Sequence, residues 1–175
     1  MKIVVIGNGS SVLDFELGHL IDKFDEVVRF NLFEIEGYEK HVGTKTTTWF
    51  RNSGPMPERD ESQFEKVIVQ TVDFPNEWTD HSVYERYERV SDETIQEIRT
   101  VVDTPLNLST GIQALGHFTR NHGQIFIHGF DVFDPPRLYF KPMNGVRHSL
   151  DERKYIDHLK SKDLVVELQQ MAMLL

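Results

Sequence analysis

Two short turns hold the residues best suited to chemistry: Gly7-Asn8-Gly9-Ser10-Ser11 and Leu108-Ser109-Thr110-Gly111. Each combines small residues with side-chain amides or hydroxyls. Set between the carboxyl end of a parallel strand and a helix start, such a turn aims several backbone N–H groups at one spot and favours an anion there. A dinucleotide reading of the first turn requires a third small residue and an acidic group at the end of the next strand. The chain has Val12, then Arg29 and Asn31, so NAD fits poorly. Two plainer roles stand beside anion binding. Gly7 and Gly9 can simply permit a tight turn, and Ser109 can be the N-cap of the helix that follows it.

These turns need a scaffold, and the residue pattern outlines one. Residues 2–6 are a β-branched run ending at Gly7, as in a strand buried on both faces of a parallel sheet. Further strands are expected at 26–31, 46–50, 66–71 and 124–128. Helices are expected at 14–23, at 91–102 behind the Ser91 N-cap, at 109–120, at 152–158 and at 163–173. Residues 52–62, with Gly54, Pro55 and Pro57, read as a surface loop rather than a linker. Alternating β and α elements predict an α/β fold in a single domain over 1–175, with no internal repeat.

Composition narrows the function classes. Lys plus Arg is 19 against 28 for Asp plus Glu, a formal charge of −9 that opposes binding to nucleic acid. With no cysteine there is no disulfide, thiolate nucleophile or Cys-ligated zinc. The first apolar run is too short for a membrane span or a secretory signal. The expectation is a soluble, cytoplasmic protein with no membrane span in this chain.

Taken together, the segments resemble the animal-type sialyltransferases, whose conserved blocks are the large, small and very small motifs. The large motif resembles Val5-Ile6-Gly7-Asn8-Gly9-Ser10, then Val28-Arg29-Phe30-Asn31, then Val42-Gly43-Thr44-Lys45-Thr46-Thr47; the last run is the most specific match. The small motif resembles Leu108-Ser109-Thr110-Gly111 followed by Ile125-Phe126-Ile127-His128-Gly129-Phe130. The very small motif resembles His148 and Glu152, one residue closer together than is common in the family. Order and spacing agree from residue 2 to about 159.

The resemblance implies a Rossmann-like three-layer αβα sandwich with a mostly parallel sheet, the sialyltransferase variant of the glycosyltransferase A-type fold. It implies inverting transfer of sialic acid, or a related acidic 2-keto sugar such as Kdo, from a CMP donor to a glycan acceptor. It also implies no cofactor and no metal; the chain has no Asp-x-Asp, and Asp131 and Asp134 are spaced differently. Asn8, Gly9, Ser10, Asn31, Ser109, Thr110, Gly111, Gly129 and Phe130 fall on the nucleotide-binding positions. For Asn8 and Asn31, turn and strand-end hydrogen bonding is the alternative role.

His148 falls on the position of the catalytic base, and a neutral imidazole near pH 7 suits that task. Glu152 could orient it. Ile3 and His122 stand near the positions of the family's cysteine pair, and Arg137-Leu138-Tyr139-Phe140 replaces its further His-containing motif, with Tyr139 a candidate wall for acceptor or donor. Two other classes remain: a CMP or CMP-sugar binding module without transfer, and an unrelated nucleotide-binding domain that would leave the Val42–Thr47 run and His148 unexplained.

Overall fold

The computed structural model describes residues 1–54, 59–131, 138–141 and 150–173. The chain begins with β1 (Ile3–Ile6), a 3₁₀ turn at Ser10–Asp14, α1 (Gly18–Ile21), β2 (Glu26–Phe30), α2 (Glu39–Val42), β3 (Thr48–Arg51) and β4 (Lys66–Val69). Next come α3 (Val83–Arg86), β5 (Glu88–Arg89), α4 (Asp92–Arg99), α5 (Thr110–His122) and β6 (Ile125–His128). The last described elements are α6 (Glu152–Ser161), β7 (Val165–Glu167) and α7 (Leu168–Ala172).

The strands form one sheet in the order β5-β4-β3-β2-β1-β6-β7, and every pairing is parallel. Parallel strands need both faces covered, and two apolar clusters do so. On one face Val5, Val28, Phe50 and Ile127 meet Ile95 and Ile98 of α4, Ile112, Leu115 and Phe118 of α5, and Tyr155, Ile156 and Leu159 of α6. On the other, Val4, Ile6 and Val27 meet Val12, Leu20, Ile21, Val42 and Leu168. The α/β sandwich read from the sequence is therefore the fold. Strand order runs outward in both directions from β1 and β6, so the carboxyl ends of these two strands form the crevice where open α/β sheets bind ligands.

Two expected helices are different in the structure. Over 14–23 the chain makes the 3₁₀ turn, becomes extended at Phe15 (φ −135°, ψ 144°) and only then forms the four-residue α1. Close approach to α2 shapes this segment: a Cβ on Gly18 would lie 1.9 Å from the Glu39 carbonyl oxygen. Over 163–173 the chain first adds β7, pairing Val165 with Ile125 and Val166 with Phe126, before α7. Pairing with the otherwise open edge of β6 outweighs the helical spacing. The short elements α2, α3 and β5 were not expected at all, since two to four residues carry no readable period.

The most specific sequence match, Val42 to Thr47, turns out to be structural. It leads into β3, and it is bonded both to residues that precede β2 and to side chains and backbone of β2 itself, so it lies at the amino-terminal edge of the sheet. Asp22 accepts from the N–H groups of Thr44 and Lys45 at 2.8 and 2.9 Å, and Lys45 Nζ donates to the Phe24 carbonyl at 2.5 Å. From β2, the buried Arg29 donates through Nη2 to the carbonyls of Val42 at 2.5 Å and Lys45 at 3.1 Å, and through Nε to Thr46 Oγ1 at 2.9 Å. A run of small hydroxylated residues with one glycine suits this task, because it leaves carbonyls open to a guanidinium and amides open to a carboxylate.

Candidate functional site

Four segments meet at the opposite, carboxyl edge. Gly7 N–H donates to the His128 carbonyl at 2.7 Å and Gly9 N–H to the Gly129 carbonyl at 3.0 Å, which locks the turn after β1 to the end of β6. This is where the glycines matter. A Cβ on Gly7 would stand 2.1 Å from the Gly129 oxygen, and Gly129 itself has φ +73°. Both glycines allow the two backbones to approach this closely. Gly9 likewise gives room to Asp131, whose carboxylate accepts from Ser11 N–H at 2.8 Å and from the Ser11 hydroxyl.

The next links run through the asparagines. Asn8 Nδ2 donates to the carbonyls of Phe30 at 3.2 Å and Leu32 at 2.8 Å, which leaves Oδ1 as the open atom of its amide among the described residues. Asn31 lies just past β2 in the left-handed region (φ 52°), which asparagine tolerates better than most side chains. Its Nδ2 donates to Thr110 Oγ1 at 3.1 Å, and its Oδ1 accepts from Asn52 N–H at 2.8 Å. Thr110 in turn donates to Gln70 Oε1 at 2.5 Å. Both asparagines thus make the strand-end bonds that were their alternative role. Neither Gln70 nor Asn52 was singled out in the sequence. A polar residue just beyond a buried strand is the signal that could have found them.

Ser109 is the N-cap of α5, as its second reading held: its hydroxyl accepts from Ile112 N–H at 3.3 Å. The Ser109 N–H is itself held by Glu152 Oε1 at 2.7 Å. Glu152 is 3% exposed at the start of α6, so the structure shows it anchoring the small-motif turn. Among the described residues, the N–H groups of Thr110 and Gly111 meet no acceptor in this first turn of a 13-residue helix, where the helix dipole favours negative charge. A Cβ on Gly111 would touch Phe30 and Phe130, each at 3.3 Å, and those two rings lie 5.7 Å apart. Phe130 thereby packs over the start of α5, while Ser10 opens the 3₁₀ turn beside it.

Tyr139 is buried, and its hydroxyl donates to the Glu34 carbonyl and accepts from Glu34 N–H at 3.0 Å. It ties down the loop after β2. His148 lies outside the described residues, as do Asp134 and Arg137. Among the described residues, no group of three or more His, Asp or Glu side chains is arranged to hold a metal ion. No described helix is long and apolar enough to cross a membrane.

One histidine that the motif reading used only as a strand residue has an unusual setting. His128, 1% exposed, borders a cleft of about 180 Å³ together with Ser11, Gly129, Asp131, Glu167 and Gln169. Burial pushes its pKa down to about 4, against a hydrogen bond to the Val12 backbone that works the other way. Between the ordinary value near 6.5 and about 4 the unfolded chain binds the proton and the folded one does not, so stability falls as pH drops through this window. The loss should be on the order of 3 kcal/mol. Melting temperatures from pH 7 to 4 should show it, and His128→Asn should flatten the profile. An equally steep profile in that variant would assign the effect to other groups.

Comparisons with known proteins were consistent with this geometry. Residues 2–107 match the family described as Glycosyltransferase family 29 (sialyltransferase). The lactosylceramide alpha-2,3-sialyltransferase of Rattus norvegicus is 40% identical over 78 residues, which is 42% of this chain and 20% of the relative. The CMP-N-acetylneuraminate-beta-1,4-galactoside alpha-2,3-sialyltransferase of Homo sapiens is 37% identical over 95 residues, 51% of this chain and 24% of the relative. The matched part is thus only about a fifth to a quarter of these relatives' length. A mammalian sialyltransferase crystallised with Gal-beta-1-3GalNAc-ortho-nitrophenol superposes with a TM-score of 0.66 at 17% identity, over 95% of this chain and 68% of that one. The family match ends just before the small-motif turn, whereas the structural likeness covers 95% of the chain.

Proposed function

We propose that this chain, which belongs to glycosyltransferase family 29, the sialyltransferases, moves sialic acid or a related acidic 2-keto sugar from a CMP donor to a glycan acceptor. The observation that carries the reading is the open start of α5. Thr110 and Gly111 offer N–H groups at a helix amino terminus, and the Asn31–Thr110–Gln70 chain holds that terminus against the crevice between the central strands. The CMP phosphate is assigned to this point. Ser10 and Asn8 Oδ1 are assigned to the ribose, and Gly129 with Phe130 to the edge of the base.

In this reading the phosphate charge is met by the helix start and by neutral donors, so the reaction needs no divalent ion. Transfer inverts the anomeric centre, because the acceptor hydroxyl attacks opposite the departing CMP, and His148 takes the hydroxyl proton. The rat and human relatives act, by their names, on lactosylceramide and on a β-1,4-galactoside. A galactose-terminated glycan is therefore the first acceptor to assay.

Calorimetry with CMP should give binding in the micromolar to millimolar range, unchanged by EDTA. CMP release from CMP-sialic acid should rise when lactose is added, with sialyl-lactose as product. Loss of binding in EDTA would overturn the metal-independent step. CMP binding without transfer to any galactoside would favour the binding-module reading. Absence of cytidine nucleotide binding would remove both.

A further inference from the structure

The segment between β4 and α3 carries two large aromatic side chains in water: Phe74 is 52% exposed and Trp78 is 66% exposed. Exposed aromatics on a slack loop would mean little, but this segment is bonded at both ends to the candidate site. At one end Thr71 N–H donates to Gln113 Oε1 at 2.9 Å, and Gln113 Nε2 donates back to the Thr71 carbonyl at 2.8 Å, so the segment leaves β4 fixed to α5. Phe74 follows, held by both its N–H and its carbonyl on the side chain of Asn107, at 2.9 and 3.1 Å, two residues before Ser109. Arg99 adds a bond to Asp73 and stands 5.5 Å from the Phe74 ring.

At the other end Asp80 N–H donates to the Ser53 carbonyl at 2.8 Å. Ser53 follows Asn52, whose N–H is bonded to Asn31. Trp78 itself sits in a closed turn: its N–H donates to Asn76 Oδ1 at 2.9 Å, Thr79 N–H donates to the Asn76 carbonyl at 3.0 Å, and Asn76 N–H donates to Thr79 Oγ1 at 3.1 Å. The two rings are thus presented by an ordered backbone along the carboxyl edge, between the turn that starts α5 and the end of β3. Holding the backbone in place beforehand removes much of the entropy cost of binding through them.

We propose that Trp78 and Phe74 form the platform on which the terminal hexopyranose of the acceptor stacks. A β-galactoside presents a patch of C–H groups on one face of its ring, which suits a flat, water-exposed indole. The assignment rests on the acceptor side of the proposed transfer reaction. It concerns residues distant in sequence from those assigned to CMP.

The chain has 2 tryptophans, and they sit in different surroundings. Trp49 is 1% exposed and its indole N–H donates to the Asn31 carbonyl at 3.0 Å, beside the proposed nucleotide site; Trp78 is in water. Titrating the protein with lactose should shift and saturate the Trp78 emission, and Trp78→Phe should abolish that signal. Trp78→Ala should raise the acceptor KM or Kd roughly tenfold, Phe74→Ala less, with CMP affinity by calorimetry unchanged in both. A lactose titration that leaves wild-type emission flat while CMP binds would overturn the platform and leave the donor reading standing. A saturable Trp78 signal in a protein that fails to bind CMP would do the reverse. Undiminished acceptor affinity in Trp78→Ala would also reject the platform.

Discussion

Replacing His148 with alanine is expected to lower the transfer rate by roughly 10²- to 10⁴-fold, the usual cost of losing a positioned general base, while CMP affinity stays at the wild-type value. The donor turns assigned to CMP are built from other segments, and each is held by bonds that do not involve His148: Gly9 on Gly129, Asn31 on Thr110, and Ser109 on Glu152. Glu152 comes four residues after His148 in the sequence. Its bond to Ser109 fixes the start of α6 to the donor side. Binding and chemistry should therefore separate. The wild-type rate should also decline at acid pH as the imidazole takes up a proton, and the variant should lack that limb. Rate measurements across pH on protein shown to be folded, paired with CMP calorimetry, make the comparison. Transfer at the wild-type rate in His148→Ala would exclude the base assignment. A parallel loss of rate, CMP affinity and melting temperature would mark His148 as a structural residue.

Arg29→Ala should produce the largest loss of stability, about 3–5 kcal/mol, by removing a buried group whose partners cannot be satisfied otherwise. The guanidinium is 1% exposed and, among the described residues, meets no carboxylate; backbone carbonyls of Val42 and Lys45 and the hydroxyl of Thr46 accept from its Nη2 and Nε. Burial lowers its pKa to about 10, so it remains a cation at pH 7. Alanine would leave those carbonyls dry and unpaired and open a cavity beneath Phe33, whose ring lies 5.7 Å from the guanidinium carbon. Urea denaturation would measure the loss. Arg29→Met, which fills the volume without the donors, separates the two contributions: if it recovers nearly all the stability, the hydrogen bonds matter little and the cavity dominates. A loss below about 1 kcal/mol in Arg29→Ala would contradict the bracing role. CMP binding at low temperature should survive the change, because Arg29 braces the amino-terminal edge and the proposed donor site occupies the other edge.

How motifs divide between these two edges bears on what a conserved-looking run means. The Val42–Thr47 segment is the part of the chain that most resembles the sialyltransferases, yet its polar groups face Asp22, Arg29 and residues 24–27 rather than the carboxyl-edge crevice. It specifies how β2, α2 and β3 fit together. The turns at Gly7 and Ser109, individually weak as patterns, lie where a ligand would be met.

Much of this was legible in the residues. The run at 2–6 could be read as a doubly buried strand and that at 124–128 as a further strand because no polar side chain interrupts their central residues. Ser91 and Ser109 could be read as caps because a hydroxyl one residue before a helix meets that helix's own N–H groups. Such signals are local, so sequence alone determined them, and with them the α/β class and the position of both turns. Contacts between distant segments decided the rest. Val165 and Val166 became strand because an edge of β6 was available, and residues 14–17 left the helical path because Gly18 packs on Glu39. Asn31 reached Thr110 across 79 positions, Glu152 reached Ser109 across 43, and Tyr139 reached Glu34 across 105. No spacing rule in one dimension encodes such bonds. Each is fixed by the burial of polar atoms that must find a partner once the sheet has closed, and only the folded chain determines which partner is near.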